Sequence, residues 1–346
     1  MKRIGTGKLR EQNDRLVYKY LALGKPVTKR ELSNKTGLTF ATIGNILNGF
    51  KEQNIVIEKE TVVLKKGRPT VTYILNPEFF HTISIILARK QEQNFFYYQI
   101  NNSLFEVIKS NQEIIDLTNI DVLIEKIKQI ISSDKKITII AIGVPSIVFE
   151  DIVIESDIIE LKNLNLKEEV EKATGIKTVV KNEMNYCAYG FYDKLTDKKD
   201  VCYVTFPKQS GPGCGSVING ELLQGHNNIA GEIIYLPIFE FLKHHDQNRI
   251  NYDENNIALA LATLATIINP AYIVISGEAL EKINLKLMEE ICLQYIPKKF
   301  MAKIIYCEDC IDDFFNGIIK YTGQRYLLDE WFIKNLLINV LTFPLL

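Results

Sequence analysis

The chain has 346 residues, 47% of them apolar and 24% charged, enough to bury two or three packed units. Its net charge of −1 hides an asymmetry: residues 1–75 hold fifteen Lys/Arg and six Asp/Glu, leaving 26 basic and 36 acidic side chains for the rest. A basic small part on an acidic large part restricts any polyanion contact to the front of the molecule and argues against a uniformly nucleic-acid-coating protein.

No apolar run approaches the ~20 residues of a spanning helix. Met1-Lys2-Arg3 leads into polar residues, not into the apolar segment of a secretory signal. The six cysteines, at 187, 202, 214, 292, 307 and 310, form no disulfide-like framework. The expected location is therefore a reducing cytoplasm.

In chain order, a first helix is expected over Gln12–Leu23 and stopped by Gly24-Lys25-Pro26. Thr28 with Glu31 three residues on forms a capping box for a second helix, which ends near Thr36-Gly37. Thr39 caps a third, with Ile43, Ile46, Leu47 and Phe50 inward and Phe40, Thr42, Asn45 and Asn48 outward. Two short helices joined at a glycine are the helix-turn-helix layout, whose second helix fits the major groove. Strands follow at Ile55–Ile57, Thr61–Leu64 and Thr70–Leu75, with Lys65-Lys66-Gly67-Arg68-Pro69 as a cationic wing between the last two.

The candidate DNA-binding residues are Thr28, Lys29, Thr39, Phe40, Thr42, Asn45, Lys65, Lys66 and Arg68. Lys65, Lys66 and Arg68 supply phosphate attraction, and an Arg beside Gly can enter a narrow minor groove. Asn45 suits adenine, and Thr42 or Phe40 a thymine methyl. Burial of Phe40 against the wing is the alternative.

From about residue 81 strands and helices alternate. Strands are expected at Thr82–Leu87, Asn94–Ile100, Ile137–Ile142, Lys177–Val180, Val201–Phe206 and Tyr272–Ser276, and helices at Ile120–Ser132, Leu166–Thr174 and Ala258–Ile268. Gly211, Gly213 and Gly215 interrupt, and a strand resumes at Ser216–Ile218. Such α/β sheets bind ligands at the carboxyl ends of their strands, where Gly and acidic residues fall here.

These residues resemble the ROK family of repressors and sugar kinases, in particular its xylose- or N-acetylglucosamine-responsive repressors. The resemblance runs from about Asn13 to Thr322. It rests on TGLTFATIGNIL and Gly67-Arg68-Pro69 in front, then Gly143-Val144-Pro145, Asn182-Glu183, Gly211-x-Gly213-x-Gly215, Ala230-Gly231-Glu232 and Asn269-Pro270 in order. It implies an α/β actin-like, two-lobed sugar-kinase body behind a winged helix-turn-helix. The implied domains are 1–78 (DNA-binding), 79–185 (first lobe) and 186–346 (second lobe, its last helices returning to the first).

The resemblance also implies a sugar site: Gly143, Pro145, Asn182, Glu183 and Glu232, with Tyr235 stacking on a sugar face or filling vacant space. Kinases of the family open with an Asp-x-Gly-x-Thr phosphate loop. Here Ile86 falls about where that Asp belongs, and Ala88-Arg89-Lys90 brings no glycine. Asn182-Glu183 replaces the family's Asn-Asp base. Ile234-Tyr235 replaces its Gly-His, and residues 236–258 contain none of its zinc-binding cysteines. Neither catalytic residues, ATP, magnesium nor zinc is expected, and Cys307 and Cys310 read as ordinary thiols.

The reading is a sugar-responsive repressor acting as a homodimer or dimer of dimers on a palindromic duplex operator, without membrane contact. A sugar kinase with a regulatory reader, and a ligand-independent regulator governed by a partner protein, remain alternatives. The apolar end from Trp331 to Leu346 reads as a helix docked on the body or as an amphipathic partner or membrane segment.

Overall fold

The computed structural model describes residues 6–60, 70–90, 92–208, 210–239 and 251–323. The wing residues Lys65–Pro69, the strand expected at Thr61–Leu64 and the apolar end from Trp331 lie outside them.

Helix α1 (Thr6–Leu21) starts six residues earlier than its periodicity suggests, because the polar stretch before Gln12 continues the helix without a proline and despite Gly7. A two-residue strand β1 (Val27–Thr28) leads into α2 (Lys29–Thr36). Thr28 makes both halves of the expected capping box with Glu31, and Gly37 ends α2 in the left-handed region at φ 73°. Thr39 caps α3 (Phe40–Glu52), which buries Ile43, Ile46, Leu47 and Phe50. Strands β2 (Val56–Glu60) and β3 (Val71–Leu75) pair antiparallel, and β1 adds to the other edge of β3. Val17, Tyr18, Leu21, Leu32 and Leu47 share one core with Phe80 and Ile139, so this front unit is anchored on the larger body of the chain.

Two five-stranded sheets form the body. The first holds β4 (His81–Lys90), β5 (Gln93–Asn102), β6 (Val107–Ile115), β7 (Ile137–Val144) and β10 (Lys177–Asn182), ordered β10-β7-β4-β5-β6. Between β7 and β10 the chain makes a hairpin of β8 (Ser146–Phe149) and β9 (Ile152–Ser156). Helices α4 (Ile120–Ser133) and α5 (Leu166–Thr174) cover the outer face, packing on Ile83, Ile85, Leu87 and Ile140.

The second sheet holds β11 (Val201–Thr205), β12 (Gly213–Ile218), β13 (Glu221–Leu222), β14 (Tyr272–Ser276) and β15 (Lys303–Tyr306), ordered β13-β12-β11-β14-β15. Helices α7 (Glu254–Ile267) and α8 (Leu285–Tyr295) cover its outer face. In both sheets an antiparallel meander of three strands precedes two parallel strands on the other side of the first. The same topology thus occurs twice.

Helices α6 (Glu183–Lys194) and α9 (Ile311–Gly317) lie between the two sheets. Ile86 and Ala141 of the first sheet, Tyr203 and Val274 of the second, and Tyr186, Phe314 and Ile318 make one shared core. The helices touch backbone to backbone: a Cβ on Gly190 would stand 1.8 Å from the Asp313 carbonyl oxygen, and one on Gly317 1.8 Å from that of Tyr186. Nζ of Lys194 and the Tyr203 hydroxyl both bond to the largely buried Asp313 carboxylate, at 2.7 and 3.3 Å.

The glycines at 213 and 215 do not interrupt the sheet as expected; β12 runs through them. A Cβ at Gly215 would stand 2.0 Å from the Met184 carbonyl oxygen, so the missing side chain admits α6 over the strand. Among the described residues no helix is long and apolar enough to cross a membrane.

Candidate functional site

The carboxyl ends of β4, β7, β10, β11 and β14 open on one cleft of about 910 Å³ between the two sheets. That volume exceeds a single monosaccharide and lies at the upper end of ordinary small-molecule pockets.

Five of the six expected sugar-site residues, Pro145, Asn182, Glu183, Glu232 and Tyr235, line it. Gly143 does not. Its missing Cβ faces the Phe314 ring at 2.2 Å, so the glycine makes room for the shared core and offers the cleft nothing. Asn182 borders the cleft with its side chain already committed: Oδ1 accepts from the Met184 and Asn185 N–H groups and caps α6, while Nδ2 donates to the Ser146 carbonyl at 2.9 Å. Its amide therefore acts as a brace between the β8 entrance and α6.

Glu183, the first residue of α6, is half-buried in the cleft floor. Burial pushes its carboxyl up to about 8. Cys310, Asp157 and Glu232 add to the rise, and Lys90 opposes it. Burial also pushes Glu232 up to about 7. Asp157, just after β9, is raised by burial too, against a Ser210 hydrogen bond and the pull of Arg89. Its accessible surface is large, yet it lines the cleft between the two sheets, where the surrounding protein reduces its solvation.

Near neutral pH the Glu183 and Glu232 carboxyls are therefore partly protonated and both donate and accept hydrogen bonds, as a ring of sugar hydroxyls requires. Tyr97, Tyr235 and Tyr306 add aromatic surface to the walls. Tyr252 braces the far wall by donating to the Ser210 carbonyl.

Sequence reasoning missed Asp157, because the β8–β9 hairpin that carries it has no strong periodicity, and Tyr252, which reaches the site from the start of α7.

The β4–β5 turn differs from a phosphate cradle. Ile86 is fully buried opposite Gly143. Arg89 donates to Asn94 Oδ1 at 3.2 Å and Glu92 Oε2 at 2.9 Å, tying its guanidinium into the turn. No glycine occurs between Ile83 and Gln93 to let a backbone wrap a phosphate. Among the described residues no group of three or more His, Cys, Asp or Glu could hold a metal. His244 and His245 lie outside the described residues.

At the front, Phe40 is 60% exposed, which decides against its burial. Asn45 and Thr39 are exposed beside it, and the half-buried Thr42 shares a 2.8 Å hydroxyl contact with Thr39. Thr28 is engaged by Glu31, and Lys29 Nζ lies 5.6 Å from the Tyr73 ring centre. Lys65, Lys66 and Arg68 fall outside the described residues.

Residues 106–238 match the profile of the ROK family. The chain carries a ROK family domain. A putative xylose repressor from Caldicellulosiruptor sp. (strain Rt8B.4) is 25% identical over 244 residues, 66% of this chain and 59% of that protein. The DNA-binding transcriptional repressor Mlc of Escherichia coli (strain K12) is 26% identical over 238 residues, 65% of this chain and 57% of Mlc. The matched part of the chain thus spans about three fifths of these relatives' lengths.

A solved ROK family transcriptional regulator, a homologue of Mlc, superposes with a TM-score of 0.67 at 18% identity over 97% of this chain and 100% of that one. The duplicated sheets around the ROK domain are the actin-like sugar-kinase fold.

Proposed function

We propose that this chain is a DNA-binding transcriptional regulator, a repressor of carbohydrate-utilisation genes, whose ROK cleft senses a sugar without phosphorylating it. Residues 1–78 form a winged helix-turn-helix, 79–185 the first lobe and 186–346 the second. In this reading α3 enters the major groove with Phe40, Thr42 and Asn45, while Thr28, Lys29, Thr39 and the wing residues Lys65, Lys66 and Arg68 contact the backbone.

The observation that carries the reading is the β4–β5 turn. A raised Glu183 carboxyl alone would suit a general base near neutral pH. Phosphoryl transfer also needs positioned phosphates. Here a buried Ile86 and a self-bonded Arg89 occupy that place. A regulator needs only unequal affinity of its two conformations for a ligand.

Glu183, Glu232 and Asp157 hold sugar hydroxyls, and Tyr235 covers a sugar face. The sugar is a pentose or hexose, with xylose, which the relatives' names print, the first to try. Bridging both sheets, it closes the cleft and moves the two reading helices of a homodimer off half-sites about one helical turn, or a multiple of it, apart. Neither ATP, magnesium nor zinc takes part, and the protein acts in the cytoplasm.

Thermal unfolding with a monosaccharide panel tests the sensor. A ligand of the folded state at a hundred times its Kd stabilises by about 2.7 kcal/mol and raises Tm accordingly. No shift with any monosaccharide or sugar phosphate would favour a regulator controlled by a partner protein instead.

A further inference from the structure

Strand β6 ends the first sheet. Its inner edge pairs with β5, and among the described residues no strand pairs with its outer edge. The ladder with β5 is regular from Lys109 to Ile115, and Ile108 is the extra residue of a bulge that ends it. Residues 107 to 112 are exposed in an unbroken row. A long, straight edge of free amide and carbonyl groups is a template for another strand, and proteins shorten, bend or cover such edges.

The two faces of β6 differ. Lys109, Asn111, Glu113 and Ile115 lie on the face that α4 covers. Ile115 joins the α4 core, Glu113 Oε1 is 2.7 Å from Lys126 Nζ of α4, and Lys109 Nζ lies 6.0 Å from the Tyr98 ring centre. On this face a groove of about 600 Å³ is lined by Glu113, Asp116, Asp121 and Glu125 against Lys126. The opposite face carries Ser110, Gln112 and Ile114, with Gln112 level with Tyr97 and Ile114 level with Phe95. Ile108 and Ile114 are 49% and 57% exposed, too apolar for an edge meant to stay in water.

We propose that β6 is a joint between two copies of this chain, paired antiparallel about a twofold axis at Asn111 and merging their first sheets into one. The spacing of the residues selects this register. With the axis at Asn111, Lys109 of each copy stands opposite Glu113 of the other, Ser110 opposite Gln112, and Ile108 level with Ile114. Directly opposed side chains are about 5 Å apart at Cβ, so symmetry yields two ion pairs and two apolar pairs. Each Lys109 ammonium enters the mouth of the other copy's acidic groove, where the Glu113 carboxylate can accept from it and from Lys126 together. An axis at Ser110 would set Lys109 against Asn111, and one at Gln112 would set it against Ile115. Neither pairs opposite charges. The joint gives a surface to the homodimer of the functional reading and rests on that reading only for there being two copies.

Sedimentation equilibrium of the full chain at micromolar concentration tests the joint without DNA or sugar, so its outcome is separate from whether the chain senses a sugar or reads an operator. Lys109→Glu and Glu113→Lys each set like charges against each other twice, and each variant should show half the wild-type mass. An equimolar mixture of the two should regain the wild-type mass, because each variant supplies the charge that the other lacks. Misfolded variants could not do this. Hydrogen exchange should show the outward amides of β6 protected in the wild type and in the mixture and exchanging freely in each variant alone. Wild-type mass in either variant, or a mixture that stays at half mass, would overturn the proposal. So would a monomeric wild type: slow exchange in β6 would then put the chain's own final segment on this edge, and fast exchange would leave the edge to a different protein.

Discussion

Glu183 begins a helix, where a carboxylate is usually welcome, and yet burial raises its pKa to about 8. The consequence for stability has a definite sign. A carboxyl raised above its ordinary value of 4.5 contributes its full stability below about pH 4.5 and loses it as pH climbs through about 8. Glu232 does the same up to about 7. Glu183→Gln should therefore flatten the fall in Tm between about pH 5 and 8, and adding Glu232→Gln should flatten it further. Thermal unfolding across that range measures it, and a wild-type slope in the double variant contradicts the assignment.

Asn182→Ala removes the α6 cap and leaves the Ser146 carbonyl without its donor, so it should cost about 1–2 kcal/mol in urea unfolding. Local chemistry of this kind was legible in the sequence. The Thr28–Glu31 box, the Gly37 stop and the Thr39 cap depend on neighbours within a few residues. Asp157 was not legible, since its partners Ser210 and Arg89 come from distant parts of the chain. Gly143 was assigned to the sugar site by resemblance, and only packing shows that it serves Phe314.

At the scale of elements, glycine separates packing from propensity. Gly190, Gly215 and Gly317 each stand where a Cβ would come within about 2 Å of a carbonyl oxygen of a neighbouring element. Backbone cannot step aside cheaply, so alanine at any of the three should cost about 1–3 kcal/mol or more. Gly49, inside α3, has nothing within 4 Å of its missing Cβ. Gly49→Ala should stabilise by up to about 1 kcal/mol through helix propensity. Denaturant unfolding of the four variants would show the opposite signs, and a destabilised Gly49→Ala would contradict the helix packing described.

The amphipathic pattern of α4 and the apolar run of β7 were readable because each buries one continuous face. The largely exposed β6 and the short β13 were not, because edge strands carry little apolar signal. Helix α6 also escaped notice. Enclosed by two sheets, it is apolar around much of its circumference and shows little periodicity.

Across the whole molecule, the twofold repeat of sheet topology was invisible in sequence. The alternation of elements gave the class, whereas the strand order rests on pairings between segments far apart in the chain. The arrangement places a cleft behind a capped, outward-facing α3, joined through Phe80 and Ile139. If α3 reads bases, Asn45→Ala should weaken binding to a specific operator by about 1–3 kcal/mol while leaving non-specific duplex binding nearly unchanged. Competition binding at fixed salt measures that difference, and an equal loss on both duplexes would remove Asn45 from base contact.

The central claim couples cleft to duplex, and fluorescence anisotropy tests it most directly. A labelled duplex from upstream of the gene itself or of neighbouring sugar genes would be titrated with full-length protein at fixed salt, with and without xylose and related sugars. Sequence-specific binding whose affinity one sugar changes by about 5- to 150-fold is the expected result. Binding that ignores sequence, or that is specific yet indifferent to every sugar in the panel, would contradict the account.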